Sequence, residues 1–258
     1  MVLQKNPSID SIVEILRNSQ HILFITGAGL SADSGLPTYR GIGGLYNHQT
    51  TDEGIPIEET LSGQMMASRP EITWKYLARI IQSCLGAKCN RGHEVIAEME
   101  KHFERVWVLT QNVDGFHRDA GSQNVIDIHG DIHDLRCTSC NFHRRLEEFT
   151  TLPIPPRCPE CGQVVRPDVV LFGEMLPMEK LELLEGELQE GFSIIFSVGT
   201  TSVFPYIAAP IWQAQYTDTT TVEINPGESE VSPIVDYQLT ASAAPTLDTI
   251  WTKYQEES

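Results

Sequence analysis

The sequence predicts an α/β protein with a Rossmann-like parallel sheet, helices on both faces of that sheet, and a smaller module beside it. A chain of 258 residues is long enough for one sizeable α/β core, or for a core with a small satellite module. Short, almost continuously apolar segments alternate with helical patterns, which is typical of parallel strands covered on both faces. Two stretches interrupt this alternation, and they predict the smaller module.

Five apolar segments are predicted as strands, and helical patterns lie between and beside them. The predicted strands are residues 21–26, 106–110, 125–128, 193–198 and 219–224. The predicted helices are residues 8–18, 70–84 and 245–254, the second of which has Pro70 in the position that favours a helix start.

The two interruptions set the predicted domain boundaries. Residues 41–63 are rich in glycine, threonine and charge, so residues 40–92 are predicted as a flexible loop followed by a helical module. Residues 131–167 hold four cysteines and five prolines, and residues 131–166 are predicted as a metal-binding ribbon. Residues 1–39, 93–130 and 167–258 are assigned to the Rossmann-like domain.

The charge balance argues against nucleic-acid binding. The chain has 18 Lys and Arg against 35 Asp and Glu, a formal net charge of −17, which repels phosphate backbones. This surface favours basic peptides mildly, although solubility alone explains it equally well. Neither a signal peptide nor a run of about 20 apolar residues is evident, so we expect a soluble, cytoplasmic monomer without membrane contact.

Four of the six cysteines form two pairs, Cys137-x-x-Cys140 and Cys158-x-x-Cys161. Without a secretory signal, this spacing indicates metal binding rather than disulfides. Each pair can hold a metal ion from a tight turn, and four thiolates complete a tetrahedron with no open position. The sequence therefore predicts a zinc ribbon with one structural zinc ion.

A glycine-rich segment follows the first predicted strand. Residues 21–26 run into Gly27-Ala28-Gly29, and a helix is predicted to begin near Ser31. Glycines let a backbone approach a pyrophosphate, and a helix N-terminus offers N–H groups to it. Taken alone, the pattern also fits a tight turn or an NAD dehydrogenase. The next glycine is Gly35, so the Gly-x-Gly-x-x-Gly spacing of dehydrogenases is absent.

The segment from Gly27 to Arg40 closely resembles the sirtuin signature Gly-Ala-Gly-x-Ser-x-x-Ser-Gly-x-Pro-x-[Phe/Tyr]-Arg. The run Thr110-Gln111-Asn112-Val113-Asp114 resembles a second element of that family. Further matches follow in family order between residue 21 and about residue 250: Ile128-His129-Gly130, Arg166-Pro167, Phe172-Gly173-Glu174, Gly199-Thr200-Thr201 and Glu223-Ile224-Asn225. The resemblance therefore covers nearly the whole chain.

The resemblance implies NAD-dependent removal of acyl groups from lysine in proteins. NAD would be consumed as a co-substrate, with free lysine, nicotinamide and O-acyl-ADP-ribose as products. The acyl oxygen would displace nicotinamide, and His129 would then deprotonate a ribose hydroxyl as general base, a task that suits the pKa of histidine. Two alternatives stay open: mono-ADP-ribosyl transfer with the same NAD cleavage, and a catalytically silent NAD sensor.

The resemblance also assigns the residues around NAD. Asn112, a catalytic residue with His129, would line the nicotinamide pocket with Asp114, while Gln111 would contact the adjacent ribose and Arg40 a phosphate. Asn225 would hold the adenine-side ribose. The full expected NAD-binding set is Gly27, Ala28, Gly29, Ser31, Asp33, Tyr39, Arg40, Gln111, Asn112, Asp114, Gly199, Thr200, Thr201, Ser202, Asn225, Pro226 and Ala243.

The substrate channel is predicted from three short segments. Val170 and Phe172 resemble the strand that pairs with the peptide, and Val203, Phe204 and Tyr206 resemble the facing loop. Tyr76-x-x-Arg79 resembles the pair with which one subclass reads succinyl, malonyl or glutaryl groups, because residues three apart share a helix face. We therefore expect acidic acyl groups as substrates in addition to acetyl-lysine.

Overall fold

The computed structural model describes residues 4–5, 8–38, 50–146 and 153–256, and it confirms the α/β fold class. A sheet of seven parallel strands forms the centre, and three antiparallel strands form a small second sheet. In chain order the strands are β1 (Gln4–Lys5), β2 (His21–Thr26), β3 (Arg105–Thr110), β4 (Val125–Asp127), β5 (Gly130–Cys137), β6 (His143–Arg145), β7 (Val165–Val169), β8 (Ile194–Val198), β9 (Thr220–Ile224) and β10 (Tyr237–Leu239).

The helices of the described residues connect and cover these strands. None of them is long and apolar enough to cross a membrane. In chain order they are α1 (Ile9–Arg17), α2 (Ala28–Ala32), α3 (Ile57–Thr60), α4 (Gly63–Ser68), α5 (Pro70–Gly86), α6 (Arg91–His102), α7 (Phe116–Asp119), α8 (Met178–Glu190), α9 (Pro205–Ala214) and α10 (Ala243–Glu256).

The five strands and three helices predicted from the sequence are all present, with ends shifted by at most two residues at each side. Two predictions need correction. The helix after the glycines begins at Ala28 rather than near Ser31, because Gly27 is extended and its carbonyl already accepts the Leu30 N–H. Residues 50–63 of the predicted loop contain α3, while residues 41–49 lie outside the described part of the chain.

The central sheet is covered on both faces because alternate strand residues point to opposite sides. On β2, Ile22 and Phe24 pack in a cluster with α1, α6 and α10. Leu23 and Ile25 pack in a second cluster with α8 and α9. All four side chains are fully buried, so β2 is the middle strand of the hydrophobic core.

The strand order creates a crevice beside β2. The sheet has the strand order β1–β10–β9–β8–β2–β3–β4. After β2 the chain adds β3 and β4 on one side of it, and β8 later pairs with the other side of β2. Ligands of open parallel sheets bind where the order reverses in this way, outside the carboxyl ends of the strands. The segments after β2, β3, β8 and β9 all lie at this edge.

The small module combines the two insertions in one hydrophobic core. Trp74, Leu77 and Ile81 of α5 are buried against residues of the second sheet, whose strand order is β6–β5–β7. The Trp74 indole N–H donates to the Val165 carbonyl at 2.9 Å. The helical insertion and the cysteine-rich ribbon therefore form one packed unit beside the central sheet.

Candidate active site

His129 lies in the turn between β4 and β5, where its carbonyl accepts the Val170 N–H. Its Nδ1 is 3.0 Å from the Gln111 carbonyl oxygen, and its Nε2 is 2.6 Å from the Tyr206 hydroxyl. A carbonyl oxygen can only accept, so Nδ1 carries the proton of the neutral ring. The lone pair on Nε2 then accepts the hydrogen bond that the Tyr206 hydroxyl donates.

The surroundings of His129 keep its ring neutral. Burial lowers the pKa of His129 below its ordinary 6.5, the hydrogen bond to the Gln111 carbonyl opposes this, and the positive charge of Lys180 lowers it further. Lys180 is itself paired with Asp127, with Nζ 2.9 Å from Oδ1. At neutral pH the ring is therefore in the form that can accept a proton.

Asn112 and Asp114 follow β3 and are joined through Ser31. The Ser31 hydroxyl donates to Asp114 Oδ2 at 2.7 Å, and the Asn112 amide donates to Ser31 Oγ and to the Gly27 carbonyl, both at 3.0 Å. Burial raises the pKa of Asp114, and the hydrogen bond from Ser31 opposes this. The three side chains form a fixed polar wall at the end of β2 and β3.

The glycines after β2 have a packing role that the sequence did not predict. The Gly29 N–H donates to the Gly199 carbonyl at 2.8 Å. A Cβ on Gly29 would lie 2.6 Å from Gly199 Cα, and one on Gly27 would lie 2.8 Å from the Gly199 oxygen. A side chain at either position would push apart the segments after β2 and β8, which form the crevice.

Thr200 forms hydrogen bonds with residues in the segments that follow β3, β8 and β9. Its hydroxyl accepts the Gln111 side-chain amide at 2.7 Å and the Ser202 backbone N–H at 3.1 Å. Its carbonyl accepts the Asn225 amide at 3.0 Å. The segments after β3, β8 and β9 are thereby held in one arrangement around the crevice.

Two adjoining cavities open at this edge of the sheet. The larger, about 690 Å³, is called here the His129 cavity, and the smaller, about 300 Å³, the Asp114 cavity. Both volumes are those of small-molecule sites. Ala28 and Asn112 line both cavities, and Ser31 and Asp114 line the smaller one. The other predicted residues on the larger one are Gly27, Gly29, Gln111, His129, Val170, Phe172, Gly199, Thr200, Thr201, Val203, Phe204, Tyr206, Asn225 and Pro226.

Three residues expected to bind NAD lie outside both cavities. Asp33 accepts the Ala244 N–H at 3.0 Å and so caps the start of α10. Ala243, the first residue of α10, is buried in the core, and Ser202 is buried with a left-handed backbone, φ 53°. The buried hydroxyl of Ser202 has no hydrogen-bond partner among the described residues. Tyr39 and Arg40 fall outside the described residues.

Tyr76 and Arg79 line one cavity together, the Asp114 cavity, and neither lines the His129 cavity. The Tyr76 hydroxyl donates to Glu53 Oε2 at 2.7 Å and accepts the Asp52 N–H at 2.9 Å. The Arg79 side chain is 59% exposed, lies over the Tyr76 ring, and reaches Asp52 Oδ2 at 3.4 Å. Both residues line the Asp114 cavity and are engaged by two carboxylates.

The same helix also contributes apolar residues to the His129 cavity, and the sequence analysis did not single these out. Leu77 and Ile80, the next residues along α5, line the His129 cavity together with Ile132, Val169 and Leu171. Leu77 and Ile80 are also three residues apart, so they share a face of α5 in the same way. Ile80 lines the Asp114 cavity as well, so the two pairs meet where the cavities adjoin. The apolar pattern of α5 is the signal that could have identified Leu77 and Ile80.

The four cysteines predicted to bind zinc come together in the small module. Their Sγ atoms all lie within 4.8 Å of one another, with Cys137 and Cys161 3.4 Å apart and Cys140 and Cys158 3.6 Å apart. Tetrahedral Zn–S bonds of about 2.3 Å place sulfurs about 3.8 Å apart, so the cluster fits one zinc ion. Although burial opposes it, hydrogen bonds from the backbone of Ser139 and Cys140 lower the pKa of Cys137 to about 6.

Comparisons with known proteins agree on one family. The model described as the Sir2 family matches residues 27–205, more than half of the chain. The chain is 50% identical over 244 residues to the protein named NAD-dependent protein deacylase 2 of Pseudomonas aeruginosa, with 93% of this chain and 95% of that protein covered.

Two solved structures extend this similarity to the fold. A Sir2 homologue in complex with NAD matches with a TM-score of 0.88 and 34% identity, covering 100% of this chain and 97% of that one. A Sir2 mutant with a deacetylated p53 peptide and 3′-O-acetyl-ADP-ribose matches with a TM-score of 0.84 and 25% identity, covering 96% and 98%. The similarity therefore spans both the central sheet and the small module.

Proposed function

The chain belongs to the Sir2 family, and on that premise we propose that it removes acyl groups from lysine side chains of proteins, with NAD as a consumed co-substrate. The observation that carries the proposal is the neutral His129 ring, whose Nε2 faces a cavity shared with Asn112 and the segments after β2, β8 and β9. The relative from Pseudomonas carries the name of an NAD-dependent protein deacylase, and a structural neighbour was solved with NAD.

Each part of the site has a task in this reaction. NAD supplies the electrophilic ribose carbon that the acyl oxygen attacks. His129 accepts the proton of a ribose hydroxyl at Nε2, because Nδ1 is held protonated by the Gln111 carbonyl. Asn112 and Asp114, fixed through Ser31, offer polar groups to the carboxamide of nicotinamide in the Asp114 cavity. The apolar part of the His129 cavity receives the acyl-lysine chain.

The acyl group that fits best is uncharged. A site that reads an acidic acyl group needs a cation, and no lysine or arginine is among the described residues that line the His129 cavity. Leu77, Ile80 and Ile132 line it instead, and burying a carboxylate against them without a partner is costly. We therefore favour acetyl groups and larger uncharged acyl groups over the succinyl and malonyl groups expected from the sequence.

A panel of acetyl-, butyryl- and succinyl-lysine peptides tests this preference through kcat/KM. We expect Ile80→Arg to raise the succinyl-to-acetyl ratio, because it places a cation in the His129 cavity. Arg79→Met, the matched change on the neighbouring position, should leave that ratio unchanged. If Arg79→Met instead lowers succinyl turnover selectively, Arg79 reads the acyl group and the uncharged preference is wrong.

Mono-ADP-ribosyl transfer is the second candidate, because it begins with the same cleavage of NAD. Adenine-labelled NAD incubated with an acyl-peptide separates the two reactions. Deacylation leaves the label in free O-acyl-ADP-ribose, whereas transfer leaves it on protein or peptide. The carboxamide-facing residues alone do not distinguish them, but the channel lined by Val170 and Phe172 beside His129 favours deacylation.

We further propose the predicted domain boundaries, a monomeric state and a cytoplasmic location. The shared core of the two insertions supports treating residues 40–92 and 131–166 as parts of one small module. Size-exclusion chromatography with light scattering would measure the mass in solution, and a mass near 28.8 kDa is expected for a monomer.

A further inference from the structure

The hydroxyl of Tyr206 lies directly on the basic nitrogen of His129. The distance from Oη to Nε2 is 2.6 Å, shorter than the 3.0 Å contact of Nδ1 with the Gln111 carbonyl. Tyr206 lines the His129 cavity at the start of α9. Tyr206 therefore contacts the proposed base and borders the space that a substrate would fill.

The direction of this hydrogen bond follows from the other side of the ring. Because the Gln111 carbonyl requires a proton on Nδ1, Nε2 has one lone pair and the Tyr206 hydroxyl must donate to it. A ribose hydroxyl can reach that lone pair in only two ways. It either displaces the tyrosine hydroxyl or passes its proton through it.

Packing around Tyr206 opposes displacement. The Tyr206 ring stacks on the Phe204 ring, with centroids 5.5 Å apart and an angle of 14° between the planes. The His129 ring is nearly perpendicular to both, with its centroid 5.8 Å from that of Phe204 and 5.9 Å from that of Tyr206. Three rings thus restrain one another, and moving the hydroxyl away from Nε2 would disturb all three.

We propose that Tyr206 relays the proton from the ribose hydroxyl to His129. The ribose O–H bond breaks as a new O–H bond forms at Tyr206 Oη. The original proton of Tyr206 moves to Nε2, so His129 becomes the imidazolium and the ribose oxygen becomes the nucleophile. Tyr206 ends the step neutral, as it began. This inference rests on the proposed deacylation and adds a catalytic residue to it.

The test compares Tyr206→Phe with Tyr216→Phe in two assays. Tyr216 is a matched control, because it is 91% exposed and lies beyond the end of α9. The first assay follows labelled nicotinamide into NAD in the presence of acyl-peptide, which needs no ribose proton transfer. The second follows O-acyl-ADP-ribose. We expect Tyr206→Phe to retain exchange within about threefold and to lose about 10- to 100-fold in product formation.

A second readout needs neither NAD nor peptide. Nitrogen-15 NMR of the free protein reports whether Nδ1 or Nε2 of His129 carries the proton, and whether Nε2 accepts a hydrogen bond. We expect the Nδ1–H form in the wild type, and a shift of the Nε2 resonance in Tyr206→Phe but not in Tyr216→Phe. An unchanged Nε2 resonance would mean that the hydrogen bond is absent in solution, and the relay would be wrong.

The outcomes separate the relay from the proposed function. No product from wild-type protein would contradict the deacylation itself. Product formation by Tyr206→Phe within twofold of the wild type would refute the relay alone. An equal loss of exchange and product would show that Tyr206 has a structural role, which also refutes the relay. Should Tyr206→Phe fail to fold, Tyr206→Leu takes its place in the same comparison.

Discussion

His129 differs from the other buried histidines in what its nitrogens face. His93 and His117 lie against each other with ring centroids 4.9 Å apart, and burial lowers the pKa of both, to about 4 for His93. His133 is bound to Asp131 at 2.7 Å, and this contact raises its pKa. Only His129 among these four lines the larger cavity, so its assignment as the base follows from position as well as from resemblance.

The pH dependence of kcat/KM for deacylation should reflect the pKa of His129, which burial lowers. A base must be unprotonated, and burial lowers its pKa below 6.5, so activity is present above that pKa and lost as the pH falls through it. We expect the acid limb of kcat/KM to have its midpoint below pH 6.5. A midpoint clearly above 6.5 would contradict the description of this ring as buried and neutral.

Replacing His129 tests the same residue directly. We expect His129→Ala to lower product formation by about 10²- to 10⁴-fold, the usual contribution of a positioned proton acceptor. His133→Ala is the control, since His133 lines neither cavity. Unchanged turnover in His129→Ala would require another base.

Among single residues, sequence motifs predict some parts of the candidate site and miss others. Motif resemblance located His129 and Asn112 because such motifs end strands at a crevice whose position follows from the strand order. The same spacing of three residues relates Tyr76 to Arg79 and Leu77 to Ile80, so spacing alone does not decide which pair contacts the acyl group. The contact between Tyr206 and His129 joins residues 77 positions apart, and no local pattern predicts it.

At the scale of elements, an ion pair holds the segment after β7 against the small module. Arg166, whose side chain is 5% exposed, donates to both carboxylate oxygens of Glu174 at 2.5 and 3.0 Å and to the Val169 carbonyl. Glu174 also accepts the Leu171 N–H at 2.9 Å. The pair thus shapes the wall formed by Val169 and Leu171 in the His129 cavity.

Breaking this pair should destabilise the protein. We expect Glu174→Gln to lower the free energy of unfolding by about 2–3 kcal/mol, below the usual cost for a buried pair because Glu174 is partly exposed. Glu71→Gln, which alters the exposed contact with Arg69, should cost less than about 0.5 kcal/mol. Chemical denaturation measures both. Equal effects in the two variants would show that the Arg166 contact contributes no more than a surface pair.

A second prediction for the small module concerns the zinc ion expected at its four-cysteine cluster. Each chain should carry about one zinc ion, measured by elemental analysis, and a strong chelator should lower the melting temperature. Replacement of Cys140 with serine should reduce the zinc content, whereas replacement of Cys89, which lies outside the cluster, should not. Zinc-free protein with an unchanged melting temperature would contradict a structural role for the metal.

For the molecule as a whole, the sequence predicted the central parallel sheet better than the way in which the two insertions pack together. Apolar strand segments defined the parallel sheet, since burial on both faces leaves a continuous hydrophobic run. The short strands β1 and β10 at one end of the sheet were missed, because two or three residues carry no periodicity. The single core shared by α5 and the second sheet was only partly foreseen, because it depends on contacts between distant parts of the chain.

The whole arrangement places His129, two adjoining cavities and an apolar wall at one edge of the sheet. Its most direct test is the stoichiometry of one reaction, in which NAD and an acetyl-lysine peptide are incubated with the protein and every product is quantified by mass spectrometry. The account predicts equal amounts of nicotinamide, deacetylated peptide and O-acetyl-ADP-ribose, all lost in His129→Ala. Free acetate released without consumption of NAD, or ADP-ribose attached to the peptide, would contradict it.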